Sequence, residues 1–409
     1  MIRTPRLIAG RPRSSPVHAR TFATMVRGPL FLCMCALFGS CAPEAQEQQG
    51  QGEWSTVPND RATNFRILVR GDERRLIVFG HAGPTDTAGR YQIVADGQKA
   101  DLGWTALSSG KQRIVLGSTT HVPYVGALSA WDVIAGIAHG DQVRDTAFQR
   151  RLRDGAVQEM ANGDGIDRER LVAIAPDLLT VYPFGGGGGT LHGTGVPEVA
   201  VCEYLEEHPL GRAEWIRFFG VLLGREREAD SLYEGIKARY EALCADSTAV
   251  PRPRVLFGSV WNGQWWVPPG NSHMARLIAD AGGAYVFAHR TGRDNIAVDM
   301  ETLVAMGDSI DRWGMIADIA GPTSPSDFTN NDIRLTALKA VRTSKLFVGN
   351  TRTADLFGQA LLEPDRVLQD LRACLWDEPD PARYSGRVPY FIPVYTAPGP
   401  PPSASPRMP

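Results

Sequence analysis

Three tryptophans, Trp261, Trp265 and Trp266, fall within six positions immediately after the apolar run 254–260, and Pro268-Pro269-Gly270 follows them. Indole rings are costly to leave in water. Such a trio predicts either one wall of a site for a flat, partly apolar ligand or the packing of a loop onto a sheet. Signatures of bond-breaking chemistry are missing. The sequence has no G-x-S-x-G elbow, no G-x-x-x-x-G-K-[ST] phosphate loop, no H-E-x-x-H and no C-x-x-C. Its eight histidines (18, 81, 121, 139, 192, 208, 273 and 289) are scattered, with no pair at metal-ligand spacing on one helix. His121 follows a strand and could line a site, but one histidine does not hold a metal. Gly185 to Gly189 lacks the spacing of a dinucleotide loop and reads as a mobile rim loop.

Charge narrows the partners. The formal net charge of the 409 residues is −2, but residues 1–40 hold six arginines and no acid, which leaves a mildly acidic body. Such a body offers no electrostatic footprint for nucleic acid. A hydrophobic content of 43% with 22% charged residues is that of a globular chain. Leu30 to Phe38 is an apolar run too short to span a bilayer and suited to a signal-peptide core. Gly39-Ser40-Cys41 closes it and resembles the bacterial lipoprotein box, with Cys41 as the lipidated first residue; an ordinary secretory signal with a chance cysteine is the alternative. Residues 1–24 read as an extension upstream of a start at Met25. Cys202, Cys244 and Cys374 remain for the body, an odd number that permits at most one bridge, so buried free thiols are expected.

The elements that must position these residues are legible as runs. Asn64 to Gly80 reads as a hairpin, and apolar strands are expected at 113–117, 133–137, 178–182 and 196–202. Helices fit 122–128 and 167–174. Trp215, Phe218, Phe219, Leu222 and Leu223 share one helical face, and 225–245 follows as a second helix, about 30 Å long at 1.5 Å per residue. A second alternation follows: strand 254–260, helices 273–281 and 300–306, strand 346–349 and helix 363–374. The tail from 397, GPPPSASPRMP, should not pack.

Several of these segments in order resemble the periplasmic binding proteins of ABC importers, in the class that takes ferric siderophores, haem and cobalamin. RIVLGSTTHVPYVGALSAWDVIAGIA is similar to the opening of that family, ERLVAIAPDLLTVYP to its most distinctive helix–strand passage, and VPEVAVCEYLEEHPLGRAEWIRFFGVLLGREREADSL to the passage leading into its backbone helix. NSHMARLIADAGGAYVF, METLVAM and LLEPDRVLQDLRACLWDE resemble the landmarks of its second lobe.

The resemblance implies an α/β fold of two Rossmann-like lobes joined by one long backbone helix, with a ligand cleft between the lobes. The expected divisions are an extension and lipoprotein signal at 1–40, a tether at 41–62, an N-terminal lobe at 63–208, a helical linker at 209–250, a C-terminal lobe at 251–395 and a disordered tail at 396–409. It implies a monomeric, non-enzymatic receptor with no cofactor. The receptor would deliver a ferric siderophore, haem or cobalamin-like chelate to an ABC permease and touch the membrane through its lipid alone. Trp261, Trp265 and Trp266 would form the second-lobe wall, Tyr124, Tyr182 and Phe184 its first-lobe counterparts, and Arg290 and Arg293 would meet an anionic chelate unless they are solvated surface. Glu169 and Glu301, each opening a helix of the same pattern, would dock the permease; a favourable helix-dipole contact is the alternative role. An extracytoplasmic hydrolase and a stand-alone scavenger without a permease are the competing readings.

Overall fold

The computed structural model describes residues 52–394 except 111, 164, 184–190, 192, 245–250, 321–323, 331 and 378–385. The expected signal segment with Cys41, Phe184, the glycine run and the expected tail lie outside the described residues.

The described chain opens with a five-stranded sheet, β1 (Ser55–Val57), β2 (Phe65–Arg70), β3 (Glu73–Phe79), β4 (Thr87–Val94) and β5 (Thr105–Ser108), paired in that order. The expected hairpin is β2–β3, closed by Gly71-Asp72 with Gly71 at φ 57°. Alternation puts Phe65, Ile67, Leu76, Val78, Tyr91 and Leu107 on the buried face. The tether expected at 41–62 is corrected here, because its second half is fixed. Ser55–Val57 pairs with β2. Beyond it, the buried carboxylate of Glu214 accepts the backbone N–H groups of Asp60, Arg61 and Ala62 at 2.6–2.7 Å. Glu206 does the same for Thr63 and Asn64 at 2.8 and 3.0 Å.

The first lobe is a parallel sheet of β6 (Ile114–Leu116), β7 (Ile134–Ile137), β8 (Gln158–Glu159), β11 (Leu178–Val181) and β12 (Glu198–Ala200) in the order β12-β11-β6-β7-β8. A small ribbon, β9 (Ala161–Asn162) and β10 (Gly165–Ile166), interrupts it. The helices are α1 (Val122–Ala127), α2 (Thr146–Arg153) and α3 (Arg168–Ile174). Every sheet position in β6 is buried, as continuous apolar strands between layers require.

Two helices follow, α4 (Pro209–Leu222) and α5 (Glu226–Cys244). Gly224, at φ 65°, permits the tight reversal between them: Arg225 N–H reaches the Gly220 carbonyl at 2.7 Å, the longer bond of a Schellman cap. The sequence predicts one apolar face on α4, whereas Leu210, Ala213, Trp215, Ile216, Phe218, Phe219, Val221 and Leu222 are all buried. The cause is the extra sheet: Phe65 of β2 meets Trp215 edge-on at 4.9 Å on one side while Tyr124 of α1 stacks on Phe219 at 5.0 Å. α5 runs from one half of the molecule to the other. Its first residue, Glu226, pairs with Arg74 of β3, and near its end Tyr240 donates to Asp280 at 2.7 Å.

The second lobe contains β13 (Arg254–Phe257), β14 (Ser259–Trp261), β15 (Gln264–Val267), α6 (His273–Asp280), β16 (Ala284–Tyr285), β17 (Ile296–Val298), α7 (Met300–Ala305), β18 (Arg312–Ala317), α8 (Pro325–Thr329), α9 (Lys339–Arg342), β19 (Leu346–Asn350), α10 (Pro364–Trp376) and β20 (Ile392–Val394). Its main sheet has the order β16-β13-β18-β19-β20, parallel except for the last pair. The strand expected at 254–260 breaks at Gly258, whose φ is 150° and whose Cβ, if present, would lie 2.5 Å from the Trp266 carbonyl oxygen. That break sends the chain into the separate three-stranded sheet β14-β15-β17. Two lobes of parallel sheet, bridged by α5, are the architecture the sequence predicts.

Candidate functional site

The carboxyl ends of parallel strands from both lobes converge on two adjoining cavities, where open α/β sheets place their ligands. One, of about 440 Å³, is mostly apolar. Phe257, Trp266, Leu277, Ile316, Phe357, Leu361 and Phe391 wall it from the second lobe and α10 side, and Thr120, Glu203, Tyr204 and Arg212 from the first lobe and α4. The other, of about 690 Å³, is polar, with Gln142, Arg144 and Asp145 facing Asp318, Thr351 and Asp355. Thr120, Leu356 and Phe357 line both. Arg144 donates to the Thr351 carbonyl at 3.0 Å and so ties the lobes together beside the polar cavity.

The polar groups of the apolar cavity are few and constrained. Glu203 is 1% exposed at the end of β12, and burial pushes its carboxyl above the usual range. Arg212, the Thr120 hydroxyl and the backbone N–H groups at 203 and 204 act against that rise by favouring the carboxylate. Arg212 donates to Nε2 of His273 at 3.2 Å. Burial and then that neighbouring cation hold His273 well below the ordinary histidine range, so it is a neutral acceptor. Tyr204 donates its hydroxyl to the Pro183 carbonyl at 3.0 Å.

Among the described residues expected to bind ligand, Trp266 alone lines either cavity. The tryptophans are not in a loop. β14 and β15 form a hairpin closed by Asn262-Gly263, both at positive φ (51° and 76°), the turn whose twist suits a two-residue connection. Strand alternation then sends consecutive side chains to opposite faces. Trp265 is 2% exposed and packs on Trp313 at 5.2 Å, so it is a core residue. Trp261, at the turn, is 68% exposed and lines neither cavity.

Tyr124 is likewise corrected. It is fully buried against Phe219 and donates to the Arg212 carbonyl at 2.8 Å, because the helical spacing of α1 turns it toward α4. Tyr182 is exposed and lines neither cavity, and Phe184 falls outside the described residues. The Arg290 guanidinium sits 5.9 Å from the Phe287 ring, and Arg293 is exposed beside Gly83; neither reaches a cavity wall. Glu169 and Glu301 are exposed in the first turns of α3 and α7. One turn on from each stands an exposed valine, Val172 and Val304. His121 lies in the core of the first lobe and lines neither cavity. Cys202 and Cys244 carry free thiols. Among the described residues no group of three or more His, Cys, Asp or Glu is placed to hold a metal, and no helix is long and apolar enough to cross a membrane.

Glu203, Arg212 and His273 were not singled out from sequence. Glu203 and Arg212 stand in the passage that leads into α4, but nothing in their spacing distinguishes them from solvated charges.

Comparisons with known proteins agree with this architecture. A family model described as periplasmic binding protein matches residues 114–353. A curated relative, an uncharacterised lipoprotein of Methanocaldococcus jannaschii, is 25% identical over 295 residues, covering 69% of this chain and 68% of its own. Among solved structures, a periplasmic haem-binding protein of Pseudomonas aeruginosa superposes with a TM-score of 0.55 at 19% identity, over 70% of this chain and 99% of its own. An ABC-type Fe3+-hydroxamate transport system structure from Saccharomonospora viridis gives 0.50 at 18% identity, over 64% and 93%. The five-stranded sheet at 55–108 precedes the region that the family model matches. The chain belongs to the periplasmic binding protein family, and its two-lobed fold is that of the solved periplasmic binding proteins it superposes on.

Proposed function

We propose that this chain is the extracytoplasmic receptor of an ABC importer, anchored by lipid at Cys41, and that it carries a ferric siderophore, haem or cobalamin-like chelate in the cleft between its lobes. The observation that carries the reading is the apolar cavity. It is bounded by both lobes, one wall is the Trp266 indole, and a flat, partly apolar ligand suits it. The curated relative is a lipoprotein, which supports the anchor, and structural neighbours titled haem-binding and Fe3+-hydroxamate transport support the ligand class. Glu169 and Glu301, with Val172 and Val304 beside them, would give the permease one acidic and apolar patch on each lobe. The chain itself would catalyse nothing.

The test is capture. The full-length protein, purified from cells grown in iron-limited or cobalamin-supplemented medium, is released under denaturing conditions and what it carried is identified by mass spectrometry. A co-purifying chelate that also quenches tryptophan fluorescence on rebinding supports the reading. A protein that returns no chelate and binds neither haem, ferric hydroxamates nor cobalamin in titration overturns it.

A further inference from the structure

Three buried polar atoms around the apolar cavity have no hydrogen-bond partner among the described residues: Oε2 of Glu203, Nε of Arg212 and Nε1 of Trp266. Such an atom is costly in a fold that leaves it unsatisfied. Gathered around one cavity, they form a pattern a ligand can complete: one acceptor and two donors.

Their charges say more. Arg212 is a fixed cation, since a guanidinium keeps its proton. Burial raises the Glu203 carboxyl, and the field of that cation, the Thr120 hydroxyl and the backbone N–H groups at 203 and 204 act against the rise by favouring the carboxylate. One N–H of the guanidinium, on Nη1, is already given to His273, a neutral acceptor that supplies no charge. Together Glu203 and Arg212 leave the polar end of the cavity electrically balanced. A carboxylate entering here would face the Glu203 carboxylate across a low-dielectric space and leave an anion uncompensated, which is expensive. A carboxamide adds no charge. Its carbonyl accepts from Arg212 and Trp266, and its N–H donates to Glu203.

We infer that Glu203, Arg212 and Trp266 are specificity-determining residues that grip a neutral carboxamide borne on an apolar ring system and reject the matching carboxylate. The inference rests on the proposed reading of the cleft as a ligand site and names the chemical group that the ligand must carry. Among the chelates proposed above it favours those with amide-bearing peripheries over those whose periphery is carboxylate.

Two probes of one shape separate the chemistries: 2-naphthamide and 2-naphthoate, titrated at pH 8 into the full-length protein with ligand-observed NMR as readout. The amide should bind at least tenfold more tightly than the carboxylate. Glu203→Gln, nearly isosteric, removes the negative charge but leaves Arg212, so naphthoate should gain and the preference should vanish or invert. Trp266→Phe keeps the ring wall and loses the N–H, and should weaken the amide several-fold with little change for naphthoate. Circular dichroism establishes that each variant is folded; Trp266→Phe carries the test should Glu203→Gln fail to fold. Equal affinity for the two probes, or an amide preference unchanged in Glu203→Gln, overturns the inference. Capture of a chelate by a protein that binds neither probe also overturns it, while leaving the receptor reading intact. Failure to capture any chelate, with the probe preference intact, overturns the receptor reading and supports the inference.

Discussion

Nδ1 of His121 meets Oγ1 of Thr180 at 2.7 Å in the fully buried centre of the first lobe, and no described residue reaches the ring's other nitrogen. Burial pushes this histidine from its ordinary 6.5 down to about 3. The unfolded chain therefore binds a proton below pH 6.5 that the folded chain refuses. Stability from this group is complete above pH 6.5 and is lost as pH falls from 6.5 toward 3, by about 1.4 kcal/mol per pH unit at full linkage. Buried Glu203 and Glu206, whose carboxyls are raised, act with the opposite sign above pH 4.5, so the histidine effect must be read as a difference. His121→Phe should flatten the slope of unfolding free energy between pH 6 and 5 by close to one proton in urea titrations. Parallel slopes for the two proteins would refute the assignment.

Two tryptophans four residues apart should behave as opposites. Trp265→Ala empties a core position against Trp313 and should cost about 3–5 kcal/mol. Trp261→Ala, at an exposed turn, should fall within about 0.5 kcal/mol of the parent. Thermal unfolding of the two variants is enough. Comparable losses would mean the strand register of the β14–β15 hairpin is wrong.

What was legible in the sequence follows from this contrast. Apolar runs and helical spacing are local signals, so β6, β11, α3, α5 and α10 could be read along the chain. The expectation of a tryptophan loop missed a signal in Asn262-Gly263, a two-residue hairpin turn whose flanking alternation buries Trp265 and turns Trp266 the other way. Tyr124 could not be placed so simply. Its position in a helix before a strand is the same whether it faces a cleft or α4, and the stacking on Phe219 depends on a packing partner 95 positions away. The site's acid and arginine are harder still. Glu203 and Arg212 acquire meaning only when β12 and α4 bring them to one cavity wall and exclude water from them. The complete burial of α4 required a sheet, β1 to β5, that lies before the segments whose order carried the resemblance.

That sheet is fastened by carboxylates, and the fastening can be cut. Glu214 is fully buried, accepts three successive N–H groups from residues 60–62 and is paired with Arg217 at 2.9 Å. Hydrogen bonds to a charged acceptor contribute about 1.5–3 kcal/mol each. Glu214→Ala should lower stability by at least about 3 kcal/mol and should speed amide exchange at Arg61 and Ala62 before it affects β18 or β19. Exchange mass spectrometry reads both. Unchanged protection at residues 60–62 would show that β1 alone holds the segment.

Glu169 and Glu301 are the last expectation that geometry leaves open to test. Each is exposed in the first turn of a short helix, one per lobe, and each has an exposed valine one turn on, so both lobes present the same small pattern. Neither glutamate lines either cavity. Arg334, already paired with Asp332, lies near enough to feel the charge of Glu301, so that site is screened on one side. Exposed ion pairs are individually weak, about 0.2–1 kcal/mol, yet rim charges set encounter rate and register. On the proposed receptor reading, Glu169→Arg with Glu301→Arg should therefore leave chelate affinity within twofold of the parent while abolishing uptake in cells that depend on the protein, because cations would then meet the proposed permease at both lobes. Single variants should retain partial uptake. Loss of chelate affinity in the folded double variant would put these residues in the ligand site, and full uptake would reduce them to favourable charges at two helix N-termini, with about 0.3–1 kcal/mol of stability each as their whole effect.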